Sequence, residues 1–107
     1  VANTFKNAGS AIGTGNTTIY TTPSSTTSVI HAIYFSNVHA SADATIEVWV
    51  TDTSAGSDFY ISKNVKVPSG TTLILDKPVN LETGDILKAK SDIASAVEAF
   101  LSVLQIT

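Results

Sequence analysis

Along Thr45–Thr51, Ile46, Val48 and Val50 alternate with Thr45, Glu47, Trp49 and Thr51. Period two of this kind predicts a strand with one face in a core, here with a tryptophan on the nominally polar face. Just upstream, Val29–Asn37 is apolar on both parities, with Val29, Ile33 and Phe35 on one and Ile30, Ala32 and Tyr34 on the other. Such a run predicts a central strand covered on both sides. Further short strands are expected at 17–22, 58–67, 71–75, 79–81 and 86–91, separated by Pro- and Gly-containing turns. In the 58–67 run Phe59, Ile61, Val65 and Val67 share a parity, with Tyr60, Asn64 and Lys66 opposite. In 86–91 Leu87 and Ala89 face one way, and Lys88 and Lys90 face solvent.

The C-terminal stretch reads two ways. A helix capped by Ser91 or Asp92 puts Ile93, Val97, Phe100, Leu101 and Leu104 on one stripe, and its alanines favour that form. A strand over 97–106 puts Val97, Leu101 and Val103 on one face and Phe100, Leu104 and Ile106 on the other. The regular spacing of short strands upstream decides for the strand. Residues 1–15, with isolated Phe5 and Ile12, form either an extended arm on a neighbouring subunit or an edge strand, the latter preferred. Residues 16–107 then make one all-β domain, a sandwich or a closed barrel.

Composition narrows the partners. Only 14% of the 107 residues are charged against 43% hydrophobic, so hydroxyls and amides supply most of the polar surface. The net charge is −3 and all six basic residues are lysines. Without arginine or a basic cluster, nucleic-acid binding is not expected. No run approaches the roughly 18 apolar residues of a membrane span, so no membrane partner is expected either. Cysteine is absent, which removes disulfides and thiolate metal sites. Methionine is also absent, consistent with removal of an initiator residue before Val1 or of a longer leader.

Candidate chemistry is sparse. His31 lies inside the central strand and His39 in a loop, without the spacing of a metal pair, so both read as structural. Asp52–Asp58 lacks the acidic spacing and terminal glutamate of a calcium loop and reads as a turn held by Asp and Ser side chains. Gly13–Asn16 is not followed by the Lys of a phosphate loop, and no GxSxG occurs. Asn16-Thr17-Thr18 matches a glycosylation sequon, a tripeptide common by chance. No catalytic, cofactor or metal residue emerges, and an enzyme is not expected.

What remains is apolar surface in excess of what one small sandwich buries. It points to a subunit of a larger assembly, with Phe5, Tyr34, Phe35, Trp49, Phe100 and Leu104 as core or interface anchors. The rival reading is a glycan-binding module with Trp49 as its platform, for which companion aromatics are lacking.

Two long segments carry a family resemblance. VKVPSGTTLILDKPVNLETGDILKAKSDIASAVEAFLSVLQIT resembles small structural proteins of tailed bacteriophages, with a strand, a Pro/Gly turn, a hydrophobic strand, a KPVNLETGD link and a closing strand. ANTFKNAGSAIGTGNTTIYTTPSSTTSVIHAIYFSN is similar to their opening arm and first two strands. The resemblance implies a single antiparallel β-sandwich, immunoglobulin-like or jelly-roll-like, of about eight short strands with a C-terminal strand. It implies a non-enzymatic virion component: a capsid decoration or cement subunit first, a tail, neck or fibre-associated subunit second. Its partners would be copies of itself and other virion proteins such as major capsid or tail proteins, with no cofactor and no catalytic residues to transfer.

Overall fold

Turns with backbone conformations suited to glycine set the strand ends. Gly70 (φ 75°) follows Pro68 in a turn closed by Thr71 N–H donating to Pro68 C=O, and Gly84 (φ 86°) closes the link before residue 86. Between such turns the computed structural model, which describes residues 2–107, contains nine strands and no helix among the described residues. Val1, the first residue of the expected arm, lies outside it. Among the described residues no helix is long and apolar enough to cross a membrane.

The strands are β1 (Asn3–Ile12), β2 (Thr17–Thr21), β3 (Thr27–Asn37), β4 (Ala44–Asp52), β5 (Ser57–Val67), β6 (Thr72–Leu75), β7 (Val79–Leu81), β8 (Ile86–Ser91) and β9 (Val97–Ile106). A front sheet has the order β1-β9-β3-β6, with β7 also on β3, and a back sheet has the order β2-β8-β4-β5. All pairings are antiparallel. β6 and β7 lie along the same side of β3 and act as one strand interrupted at Asp76–Pro78, where proline offers no ladder donor. Counted that way there are eight strands, four per sheet. Every connection except the β4–β5 hairpin crosses between sheets, which is the double-sheet jelly-roll arrangement. The C-terminal segment is the strand chosen from its spacing, paired on both sides.

The core lies between the sheets. Ile12, Ile30, Ile33, Phe35, Leu81, Val97, Leu101 and Val103 from the front sheet meet Ile19, Ile46, Val48, Val67 and Leu87 from the back. Three buried polar groups are satisfied rather than stranded. Asn37 donates to the carbonyls of Ala42 and Val67, both at 2.9 Å, and accepts from His39 N–H, tying the β3–β4 loop to the end of β5. Tyr20 Oη lies 2.7 Å from Ser28 Oγ and accepts from Gln105 Nε2. Asp85 accepts from the N–H groups of Thr53 and Glu82.

Two expectations of strict alternation are corrected. In β3 the pairing with β9 shifts between Ile30 and Ala32, leaving His31 as the extra residue of a bulge. Ile30 and Ile33, placed on opposite faces by period two, therefore both enter the core, while Ala32 and Tyr34 turn outward. His31 is exposed and stacks on Phe5, with ring centroids 6.1 Å apart. In β5 the register against β4 shifts twice, around Asn64 (φ 57°) and at Ile61. Val65 and Val67 reach the core, but Phe59 and Ile61 stay exposed.

Phe35 has no accessible surface. Phe35→Ala is expected to lower unfolding stability by about 3–5 kcal/mol, read as a reduced urea midpoint with unchanged slope.

Candidate interaction surface

The outer side of the front sheet is the feature that chemistry must explain. Register places side chains on it in rows across the strands. One row runs Ile74–Tyr34–Phe100–Gly9, a second Thr72–Ser36–Glu98–Ala11, and a third Asn80–Val29–Leu104–Phe5. Glu98 is the one charge in these rows. Ile74 is 52% exposed, Phe100 47% and Tyr34 39% along one row, and Phe5, 77% exposed, stands beyond the small and polar row Ala32–Ser102–Asn7.

The face is not flat. Gly9, Ala11 and Ser36 are short beside Tyr34 and Phe100, and together with Glu98 they line a depression of about 430 Å³. A side chain at Gly9 would meet Phe100 Cδ1 at 3.4 Å, so the phenyl ring already leans over the glycine. A smaller hollow of about 260 Å³ lies between Phe5, Asn7, Phe100 and Ser102. The two hollows flank the Phe100 ring.

The back sheet presents a different outer side. Lys90 pairs with Glu47 at 3.6 Å, and Trp49 is only 4% exposed. Tyr60 covers it at a centroid distance of 5.8 Å, with Lys63 Nζ 4.5 Å above the Tyr60 ring. The tryptophan is thus buried within the subunit, away from the central core, and offers no open platform to a sugar. Of the anchors expected from sequence, Phe35 is in the core, Trp49 is under Tyr60, and Phe5, Tyr34, Phe100 and Leu104 share the front face. Gly9, Ala11 and Ile74 complete that face without having been singled out. The signal for Gly9 was present, since a glycine inside a strand marks a place where something approaches closely.

The candidate titratable clusters resolve into loop staples. Carboxylate oxygens of Asp52, Glu82 and Asp85 lie within 4.8 Å of one another. Buried Asp85 accepts from Thr53 N–H, Thr53 Oγ1 and Glu82 N–H, while Asp52 accepts from Ser54 Oγ and Ala55 N–H, and Glu82 from Ser54 Oγ. Asp85 thereby holds the β4–β5 turn against the link before β8. His39 Nδ1 accepts from the N–H groups of Ser41 and Ala42, shaping the β3–β4 loop. The Ser69 N–H, with a smaller contribution from Lys66, holds the Asp43 carboxyl below the usual carboxylate range. The Ser54 hydroxyl and then the Ala55 N–H do the same for Asp52. Nothing in these clusters aligns a nucleophile with a base.

No protein-family model and no curated protein matches the sequence. Among solved structures, the chain is similar to one from the acidic stable capsid of Helicobacter pylori bacteriophage KHP30, at 13% identity and TM-score 0.60, covering 100% of this chain and 89% of that one. It is also similar to a protein of Bacillus endospore appendages, described as disulfide-linked pili, at 13% identity and TM-score 0.56, covering 99% and 87%. A third, a pentameric capsid protein from metagenomic phage sequences, has 23% identity and TM-score 0.49 over 90% of this chain and 66% of that one. At these identities the likeness is one of fold.

Asp85→Ala leaves Thr53 and Glu82 N–H groups without their acceptor and is expected to cost roughly 2–4 kcal/mol, measured by urea unfolding. Asp43 and Asp52, held low in the folded chain, add stability above the ordinary carboxylate range that is lost as pH falls through their lowered values. The urea midpoint should fall on acidification, and the fall should be shallower in the Asp43→Asn, Asp52→Asn double variant.

Proposed function

We propose that this chain is a non-enzymatic structural subunit of a bacteriophage virion, with a capsid decoration or cement role as the first reading. The observation that carries the assembly role is the outer side of the front sheet, with three rows of mostly apolar or small side chains and a single charge. Four large side chains, Phe5, Tyr34, Ile74 and Phe100, stand in water there while the core is already complete without them. Covering them gains about 25 cal/mol for each Å² removed from water. That gain is available only to a partner surface, and the low charge means little desolvation opposes it.

The virion is supported as the setting by two independent likenesses. The sequence resembles small tailed-phage structural proteins over nearly its whole length, and its fold is similar to a KHP30 capsid chain over 100% of this chain and 89% of that one. In this reading the partners are copies of the chain and other virion proteins, and residues 1–15 act as an edge element beside the contact face. The spore-appendage likeness is a rival setting, but those pili are disulfide-linked and this sequence has no cysteine. A tail, neck or fibre position uses the same face and is the second reading. A glycan module is disfavoured because Trp49 is under Tyr60.

Particles of the encoding phage should contain the chain by mass spectrometry, with density for its sandwich on the shell in electron micrographs. Phe100→Lys should leave the circular dichroism spectrum unchanged and reduce particle occupancy at least ten-fold. Absence from particles, or full occupancy by that variant, would sink the reading.

A further inference from the structure

The front-sheet face ends at β1, and that edge is unlike the others. Three of the four sheet edges carry features that discourage further strand pairing. β2 is a bulged strand of five residues, followed by Pro23. β5 is bulged twice and carries Asp58, Lys63 and Lys66. The β6–β7 edge is broken at Asp76–Pro78. β1 runs for ten residues in unbroken register with β9, contains no proline, and has Lys6 as its one charge.

Its hydrogen-bonding groups are assigned by one reciprocal pair. Ala2 N–H donates to Thr107 C=O at 3.1 Å and Thr107 N–H to Ala2 C=O at 2.9 Å. In an antiparallel ladder such pairs recur every second residue. Thr4, Lys6, Ala8, Ser10 and Ile12 therefore bond to β9, and Asn3, Phe5, Asn7, Gly9 and Ala11 direct N–H and C=O to the open side.

We propose that β1 pairs antiparallel with β1 of a second copy of this chain about a two-fold axis at Asn7, merging the two front sheets. This register uses all five open-side residues, placing Asn7 opposite Asn7, Phe5 opposite Gly9 and Asn3 opposite Ala11. The most exposed aromatic of each copy then covers the strand glycine of the other, beside the Phe100 ring and the depression of about 430 Å³. The row Ile74–Tyr34–Phe100–Gly9 continues into Phe5–Leu104–Val29 of the second copy, and the converse holds across the axis. Lys6 falls opposite Ala8, so no like charges meet. A register centred on Phe5 or on Gly9 engages fewer open-side residues and separates Phe5 from the glycine. The pairing concerns an edge that the virion reading does not require, and it holds wherever the protein resides.

Because the sequence has no cysteine, single substitutions read the register directly. Under mild oxidation the Asn7→Cys variant should form a covalent dimer, since a hydrogen-bonded antiparallel pair sets Cα atoms about 5.5 Å apart, within disulfide reach. Ala11→Cys alone should not, because its two copies lie roughly 27 Å apart along the strands. Mixing Asn3→Cys with Ala11→Cys should give the mixed dimer. The unsubstituted chain should sediment at about twice 11.2 kDa, and Phe5→Ser should weaken that dimer at least ten-fold with the fold retained. A monomer at every concentration, no cross-link through Asn7→Cys, or equal cross-linking through Ala11→Cys overturns the proposal. Such a failure leaves particle occupancy untouched, so it is distinguishable from failure of the virion reading.

Discussion

The ladder between β3 and β9 is the constraint on which the rest of the molecule depends. β9 is held on one side by β3 and on the other by β1, each along nearly its full length. Its alternation therefore does two jobs at once. Val97, Ala99, Leu101 and Val103 close the core, while Phe100 and Leu104, forced to the other parity, become the middle of the exposed face. A single strand thus couples the stability of the subunit to the surface it shows. No substitution at Phe100 can be compensated by turning it inward, because the register that would do so exposes Leu101 and Val103.

Strands with clean period two were legible without coordinates. β4, β8 and β9 place Ile46 and Val48, Leu87 and Ala89, and Val97 and Leu101 as their spacing dictates. β3 and β5 were legible as strands but not in which face each side chain takes. A bulge inserts one residue against a partner strand, and that is a property of two chains of backbone in register, not of one chain's polarity. His31 gives no local sign of being the extra residue, and neither does Ile61. Each sits in an apolar run whose pattern is equally regular with or without it. Apolar residues on both parities of Val29–Asn37 predicted cover on both sides, with the bulge deciding which residues serve which face. Within the subunit only the side of Ile30, Ile33 and Phe35 is covered, and Tyr34 stands exposed on the other.

The candidate site was only half legible, for a related reason. Phe5, Tyr34, Phe100 and Leu104 come from three strands that are far apart in sequence, and only the order β1-β9-β3 brings them together. Gly9 and Ala11 matter through what they lack, and a missing side chain means something only once its neighbours are known. The polar staples behave likewise. Asp85 and His39 are ordinary loop residues in sequence, yet in the structure their acceptor atoms take backbone N–H groups and hold loops in place.

The outer sides of the two sheets differ. On the back sheet, the outward tryptophan is roofed by Tyr60, Lys63 caps the Tyr60 ring, and Glu47 and Lys90 pair beside them. The subunit there roofs its tryptophan, although Phe59 and Ile61 on the β5 edge stay exposed. On the front sheet the chain uses glycine, alanine and serine between aromatics and places one carboxylate among three rows. Both sheets draw on one composition, so shortage of polar residues does not explain the difference. Water-facing apolar residues are tolerated singly, but a contiguous face next to an edge strand without proline or bulge is an aggregation hazard unless it is occupied. On the back sheet Trp49 is roofed within the subunit, whereas on the front sheet Tyr34, Ile74 and Phe100 remain exposed around the strand glycine.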